Sequence, residues 1–279
     1  MKRILTVLAF VFFLPASALA QSYDGIGDNG VYQTTLPNGL EVIAVEDRGA
    51  PVVHTEVFYR FGSLDETPGK TGLAHAMEHM MFRGTPSLSA GGLDEVMARM
   101  GAQMNGATSY DYTNYTFDMP ADRLDIALRI EADRMQHAAL RAAEWRVEQR
   151  AVLNEIDGDE SSPFFNLLSR VRAAAYPGLA AGRPPSGVRS DVARASVSDL
   201  RAYYERWYAP NNAELVVAGD VDHNRVFALA RRYFGAIPRR RVTPRPAVHP
   251  QAATGKVVEA EFPFPFEVLD LAYAVPGDT

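Results

Sequence analysis

The sequence predicts an α+β fold. Short β-rich stretches and longer helical patterns share one 279-residue chain without a regular strand–helix–strand alternation. With 47% apolar and 22% charged residues, the composition is that of a globular protein, not of a disordered or collagen-like one. The length suffices to bury a sizeable core without covalent staples, and the chain contains no cysteine to make them. Thiol catalysis, disulfides and cysteine-ligated zinc are thereby excluded.

The elements follow in order. After a Gly/Asp-rich lead over 24–30, residues 31–45 read as two short strands around the turn Pro37-Asn38-Gly39. Residues 51–61 form a third strand, alternating around Val53, Val57 and Tyr59. A loop over 62–71 leads to a helix over 72–82, with Thr71 as N-cap and Arg83-Gly84 as basic last turn and stop. A second helix covers 93–100, and 104–119 is strand material with β-formers at alternate positions. Helical patterns run from 123 to 139 and from 142 to 156, the latter stopped near Gly158, and 167–175 is helical too. The Gly/Pro-rich stretch 177–187 can hold no regular element. Ser198 can cap a helix running to 208, Pro210-Asn211-Asn212 turns into a strand over 214–218, and Asp222 begins a helix to 234.

The two ends differ from this body. Residues 1–20 read as a cleaved export signal: Lys2 and Arg3, a short apolar run over 4–14, Pro15, then Ala18-Leu19-Ala20 before a mature start at Gln21. The protein is thus expected to be periplasmic or secreted. No later stretch approaches the ~18 apolar residues of a membrane span, so none is expected after signal removal. The formal charge of −6, more negative still without Lys2 and Arg3, argues against a nucleic-acid partner. Residues 239–254, rich in Arg and Pro, read as an extended linker. Residues 255–279 are strand-like again and echo the strand and turn over 52–66, as though a second copy of the fold began there.

The segment that can do chemistry is His75-Ala76-Met77-Glu78-His79. On a helix, residues at i, i+3 and i+4 share one face, so both imidazoles and the carboxylate converge. Two histidines one turn apart can bind one zinc ion, and a neighbouring carboxylate can take a proton from water. The apolar neighbours Met77, Met80, Met81 and Phe82 bury the helix, and buried imidazoles need partners that a metal supplies. A third protein ligand is then required. The helix over 142–156 offers Glu144, Glu148 and Glu155, the last two being two turns apart on one stripe flanked by Val147, Val152 and Leu153. Spacing alone does not choose between Glu148 and Glu155. His54, His137, His223 and His249 read as packing or surface residues, and Trp145 and Trp207 as packing residues.

These residues resemble a known family. His75-x-x-Glu78-His79, followed 76 residues after His79 by Glu155, is similar to the inverted zinc motif of the insulinase/pitrilysin peptidases. The likeness is strongest to the subgroup containing the mitochondrial processing peptidase. Leu36-Pro37-Asn38-Gly39-Leu40 resembles that family's opening hairpin, and 72–85 its metal helix and exit. Asn105 with Thr108-Ser109 and Tyr115 resembles its active-site edge strand, and 148–155 its second metal helix. Tyr208-x-Pro210-x-Asn212 with Gly219-Asp220 resembles its later strand.

The resemblance covers 31–238 as one family half. It implies a two-layer mixed α/β domain with helices packed on one face of a mostly antiparallel sheet. Residues 21–238 would be the zinc-peptidase N-terminal half, and 255–279 the first strand of a truncated second one. His75, His79 and Glu155 would bind one Zn2+ per chain, Glu78 would be the general base, and Glu148 would stand behind the ligands. The edge strand at Asn105, with Gly106, Ala107 and Thr108, would pair with an extended peptide substrate.

The implied activity is zinc-dependent endopeptidase action on peptides or unfolded segments. Its rivals are a non-catalytic assembly subunit, a half inactive without its partner, and a zinc carrier or sensor. The sequence departs from the family pattern at Gly106, where relatives often have Ala, which is expected to loosen that strand. It departs also in lacking most of a second half, which must be supplied in cis or in trans.

Overall fold

A computed structural model of the chain describes residues 30–242, 257, 259 and 266–272. Its centre is a six-stranded sheet. Strands β1 (Val31–Thr35) and β2 (Glu41–Glu46) form the first hairpin, and β3 (Val52–Tyr59) follows. Strands β4 (Gln103–Thr108) and β5 (Thr113–Pro120) form a second hairpin, and β6 (Ala213–Gly219) arrives last. The order across the sheet is β1-β2-β6-β3-β5-β4. Every neighbouring pair is antiparallel except β2 with β6.

One face of the sheet is apolar because alternate residues point to it. Val42 and Ala44, Val53, Val57 and Tyr59, Tyr115, Phe117 and Met119, and Leu215 and Val217 are buried there. Helices α1 (Leu73–Met81), α3 (Leu124–His137), α7 (Val197–Trp207) and α8 (His223–Phe234) add Met77, Met80, Leu128, Leu200, Val226 and Phe234 to the same core. The opposite face is polar. His54 bonds Asp118 at 2.8 Å, Asn114 donates to Glu56 at 2.5 Å, and Arg60 reaches Glu41 at 2.9 Å and Glu214 at 3.3 Å. The fold is therefore the expected two-layer α+β domain, with helices on one face of a mostly antiparallel sheet. Among the described residues no helix is long and apolar enough to cross a membrane.

Several element ends differ from the sequence expectation, each for a local reason. Thr71 does not cap α1. The N-cap is Gly72 at φ +82, and the buried Glu66 carboxylate accepts from the N–H groups of Gly72 and Ala74, both at 2.8 Å. Helix α2 (Ala90–Met100) begins before residue 93 because Ser89 accepts from Gly92 N. Helix α4 (Ala142–Ser161) runs through Gly158 and ends only where Pro163 holds Ser162 in an extended conformation. Pro163 then opens α5 (Pro163–Ala175), which starts four residues earlier than residue 167, with Ser162 as its N-cap.

Within 177–187 one turn of 3₁₀ helix forms, over Ala180–Gly182. Helix α6 (Arg189–Arg194) was not foreseen. The cap of α7 is Ser196, in a reciprocal box with Asp199, rather than Ser198. The flanking apolar stripe expected beside the α4 acids is also narrower. Val152 and Ile156 are buried with Val192 of α6, while Val147 points outward.

The expected export signal over 1–20 lies outside the described residues, as do 243–254 of the expected linker. Of the strand expected over 255–279, residues 266–272 are described. They are exposed and carry no strand, and most of the remainder lies outside the described residues.

Candidate metal and active site

Helix α1 carries the histidine motif, and its position is fixed from both ends. At its start, Gly72 and Gly187 lie back to back: a Cβ on Gly187 would come within 2.3 Å of Gly72 N, and one on Gly72 within 2.5 Å of Val192. Thr71 is buried beside them and donates through Oγ1 to Asp191 of α6 at 2.8 Å. Along its length α1 packs on α4, α7 and β4. This arrangement follows from its sequence, since Leu73, Ala74, Ala76, Met77, Met80 and Met81 are all buried, leaving His75, Glu78 and His79 on the remaining side.

There the side chains of α1 meet those of α4. Nε2 of His75 lies 3.4 Å from Glu155 Oε2, and Nε2 of His79 lies 3.5 Å from the same oxygen. The three ligand atoms all fall within 4.8 Å of one another. Two donors about 2.0–2.1 Å from one tetrahedral ion stand about 3.3 Å apart, so these separations suit a common zinc ion. The donor set, two imidazole nitrogens and a carboxylate oxygen, suits it as well.

The second nitrogen of His79 shows how the ring is oriented. Nδ1 donates to the carboxylate of Glu148 at 3.1 Å, which leaves Nε2 with a free lone pair. Glu148 is buried, and its other oxygen pairs with Arg83 at 2.8 Å. His75 is held neutral: burial, with help from nearby His79, lowers its pKa to about 4. Its Nδ1 is buried without a hydrogen-bond partner among the described residues. Glu155, by contrast, is half-exposed. The two acids that spacing could not tell apart thus sit in different places, Glu155 at the Nε2 atoms and Glu148 behind His79.

Glu78 occupies the same face of α1. Burial raises its pKa above the usual carboxylate range, while a hydrogen bond from Thr108 Oγ1 to Oε2 at 2.6 Å and the neighbouring His79 pull it back. Strand β4 is the sheet's edge, and its four predicted residues divide between two sides. Asn105 and Ala107 are exposed, whereas Gly106 and Thr108 turn toward α1. The Asn105 carboxamide oxygen accepts from the N–H of Gly106 at 2.9 Å. Gly106 stays in register opposite Tyr115.

Sequence reading gave no bracing role to Glu66, Arg83 or Asp191, which brace α1 and the acids around it. Only Glu66 left a signal, an acid in the loop just before a helix that begins with glycine. Elsewhere, His54, His137 and His223 bond Asp118, Asp133 and Glu46 at 2.8, 2.9 and 2.7 Å. Asp222 and His223 also stand near Glu46, but Asp222 is engaged in capping α8 and the His223 ring stacks on Tyr32. Trp145 and Trp207 are buried, Trp145 donating to Ala195 O at 2.9 Å. His249 lies outside the described residues.

Comparison with known proteins bears on this geometry. Residues 41–186 match the family profile described as insulinase (peptidase family M16), and residues 194–278 match one described as peptidase M16 inactive domain. The zinc protease PqqE of Helicobacter pylori is 32% identical over 239 residues, spanning 85% of this chain and 53% of that protein. The mitochondrial-processing peptidase subunit beta of Blastocladiella emersonii is 29% identical over 80% of this chain and 49% of its own. The crystal structure of the periplasmic protease PqqL from Escherichia coli superposes with a TM-score of 0.75 at 26% identity, covering 81% of this chain and 26% of that one. The chain spans about half the length of the curated relatives it matches. With more than half of its residues matched by that first profile, the chain belongs to the insulinase family of zinc peptidases, peptidase family M16.

Proposed function

We propose that this chain is the catalytic half of a zinc-dependent endopeptidase that cleaves peptides or unfolded protein segments. The observation that carries the reading is the meeting of His75 Nε2, His79 Nε2 and Glu155 Oε2 beside the buried Glu78 carboxylate. His75, His79 and Glu155 would hold one Zn2+, which when bound polarises the scissile carbonyl and acidifies water. Glu78 accepts the proton of the attacking water and returns it to the leaving amine, a task suited to a carboxylate whose pKa burial has raised. Glu148 keeps His79 in the tautomer that presents Nε2. The open edge of β4, at Asn105 to Thr108, takes the substrate as an added strand.

The family's two-half relatives support a further part of the proposal, that full activity needs a second homologous half in cis or in trans. Export to the periplasm or beyond, with cleavage after Ala20, is proposed from the N-terminal sequence and from the periplasmic relative.

The experiment is to measure zinc content and peptide cleavage of residues 21–279, alone and with a second half. Glu78→Gln should keep zinc while turnover falls by two or more orders of magnitude, about the range for a lost general base. Retained turnover in that variant would remove Glu78 from the mechanism.

A further inference from the structure

Strand β4 runs beside α1, and two of its residues meet the same side chain. Thr108 Oγ1 donates to Glu78 Oε2 at 2.6 Å, the short distance of a hydroxyl bonded to a carboxylate. Two residues earlier, on the same face of the strand, a Cβ at Gly106 would lie 3.1 Å from Glu78 Cγ and 3.1 Å from the Phe82 ring. That is tighter than ordinary contact, so β4 lies close against the helix here, and a side chain at 106 would ask Glu78 or Phe82 to give by a few tenths of an ångström. The strand's pairing and the core hold it in this position. Gly106 pairs with Tyr115 and Thr108 with Thr113, and the Tyr115 hydroxyl is itself fixed to that of Tyr208 at 2.6 Å in the core.

We propose that Thr108 is a positioning residue for Glu78. Strand β4 lies against the helix at Gly106, and the Thr108 hydroxyl anchors one carboxylate oxygen. The other oxygen is left free to take a proton. A glutamate side chain has three rotatable bonds, and an unanchored carboxylate would spend much of its time in conformers unable to reach the reacting water. The inference rests on the reading of Glu78 as general base, and it gives Thr108 a task other than binding the peptide.

The test compares Thr108→Val, which keeps the shape and loses the hydroxyl, with Thr108→Ser, which keeps the hydroxyl. Both are made in the zinc-loaded protein together with its second half, and both are also crystallised metal-free. Thr108→Val should retain zinc and KM while kcat falls about ten- to a hundredfold, the range for a misplaced catalytic group. Its metal-free crystals should show Glu78 leaving its present conformer. Thr108→Ser should recover most of kcat and keep Glu78 in place.

An unmoved Glu78 with unchanged kcat in Thr108→Val would overturn the proposal. So would a serine variant as poor as the valine one, or a rise in KM at constant kcat, which would make Thr108 a peptide contact. Should Glu78→Gln keep its turnover, the base reading fails. The metal-free crystals still decide whether Thr108 holds the carboxylate.

Discussion

His75 and His79 offer the same atom, Nε2, to one oxygen of Glu155, yet their rings are held differently. His79 leans on Glu148 through Nδ1, whereas Nδ1 of His75 is buried with no partner among the described residues. His79→Ala should therefore largely abolish zinc binding, measured by metal analysis after dialysis. Glu148→Gln should leave the ligands in place and weaken zinc by about 10–100-fold, the usual cost of losing a ligand's hydrogen-bond support.

The neutral His75 also gives a pH dependence. Its folded pKa, about 4, lies below its ordinary value of 6.5, so between those limits the unfolded chain binds more protons. Stability of the metal-free protein should then fall as pH drops from 6.5 to 4, by up to about 3 kcal/mol from this one group. His75→Gln should remove that part of the slope in urea unfolding with chelator present. The motif was legible because helical spacing alone sets i, i+3 and i+4 on one face. The choice between Glu148 and Glu155 was not, because residues seven apart share a stripe and only the way α4 packs on α1 separates them.

At the scale of elements, the strands and most helices could be read from alternation and from helical periodicity, while their ends depended on tertiary partners. Glu66 caps α1 from the preceding loop, a bond at which the sequence hints only by an acid ahead of a glycine-led helix. Glu66→Ala should destabilise the domain by about 1–2 kcal/mol, as other lost caps do, and weaken zinc binding, both checked by thermal unfolding with and without metal. Gly158 misled in the opposite direction. On an exposed helix face its cost of about 1 kcal/mol is tolerated, and the stop belongs to the proline five residues later. The buried pair on α3 was likewise invisible in sequence. Arg134 is ion-paired with Glu131 and lies 4.5 Å over the Tyr115 ring, directly beneath the strand that supports β4. Glu131→Ala would strand that guanidinium in the core and should cost about 3–5 kcal/mol, measurable by denaturant unfolding.

For the whole molecule, the site, with Glu155 half-exposed, lies on a chain that spans about half the length of the curated relatives it matches. Adding a homologous second half should raise peptide turnover well above that of residues 21–279 alone without changing zinc content, as assayed by fluorogenic peptide cleavage. The sheet carries a consequence of another kind, for the order in which the molecule can assemble. Strands β2 and β3 are separated by five residues in sequence, yet β6, made more than 150 residues later, lies between them and pairs with both. Until β6 docks, the sheet is two unjoined pieces, and β2 and β3 must stay apart or be pried open. Joining the sheet thus waits on a loop closure of more than 150 residues, which is expected to slow folding and to leave strand edges open until then.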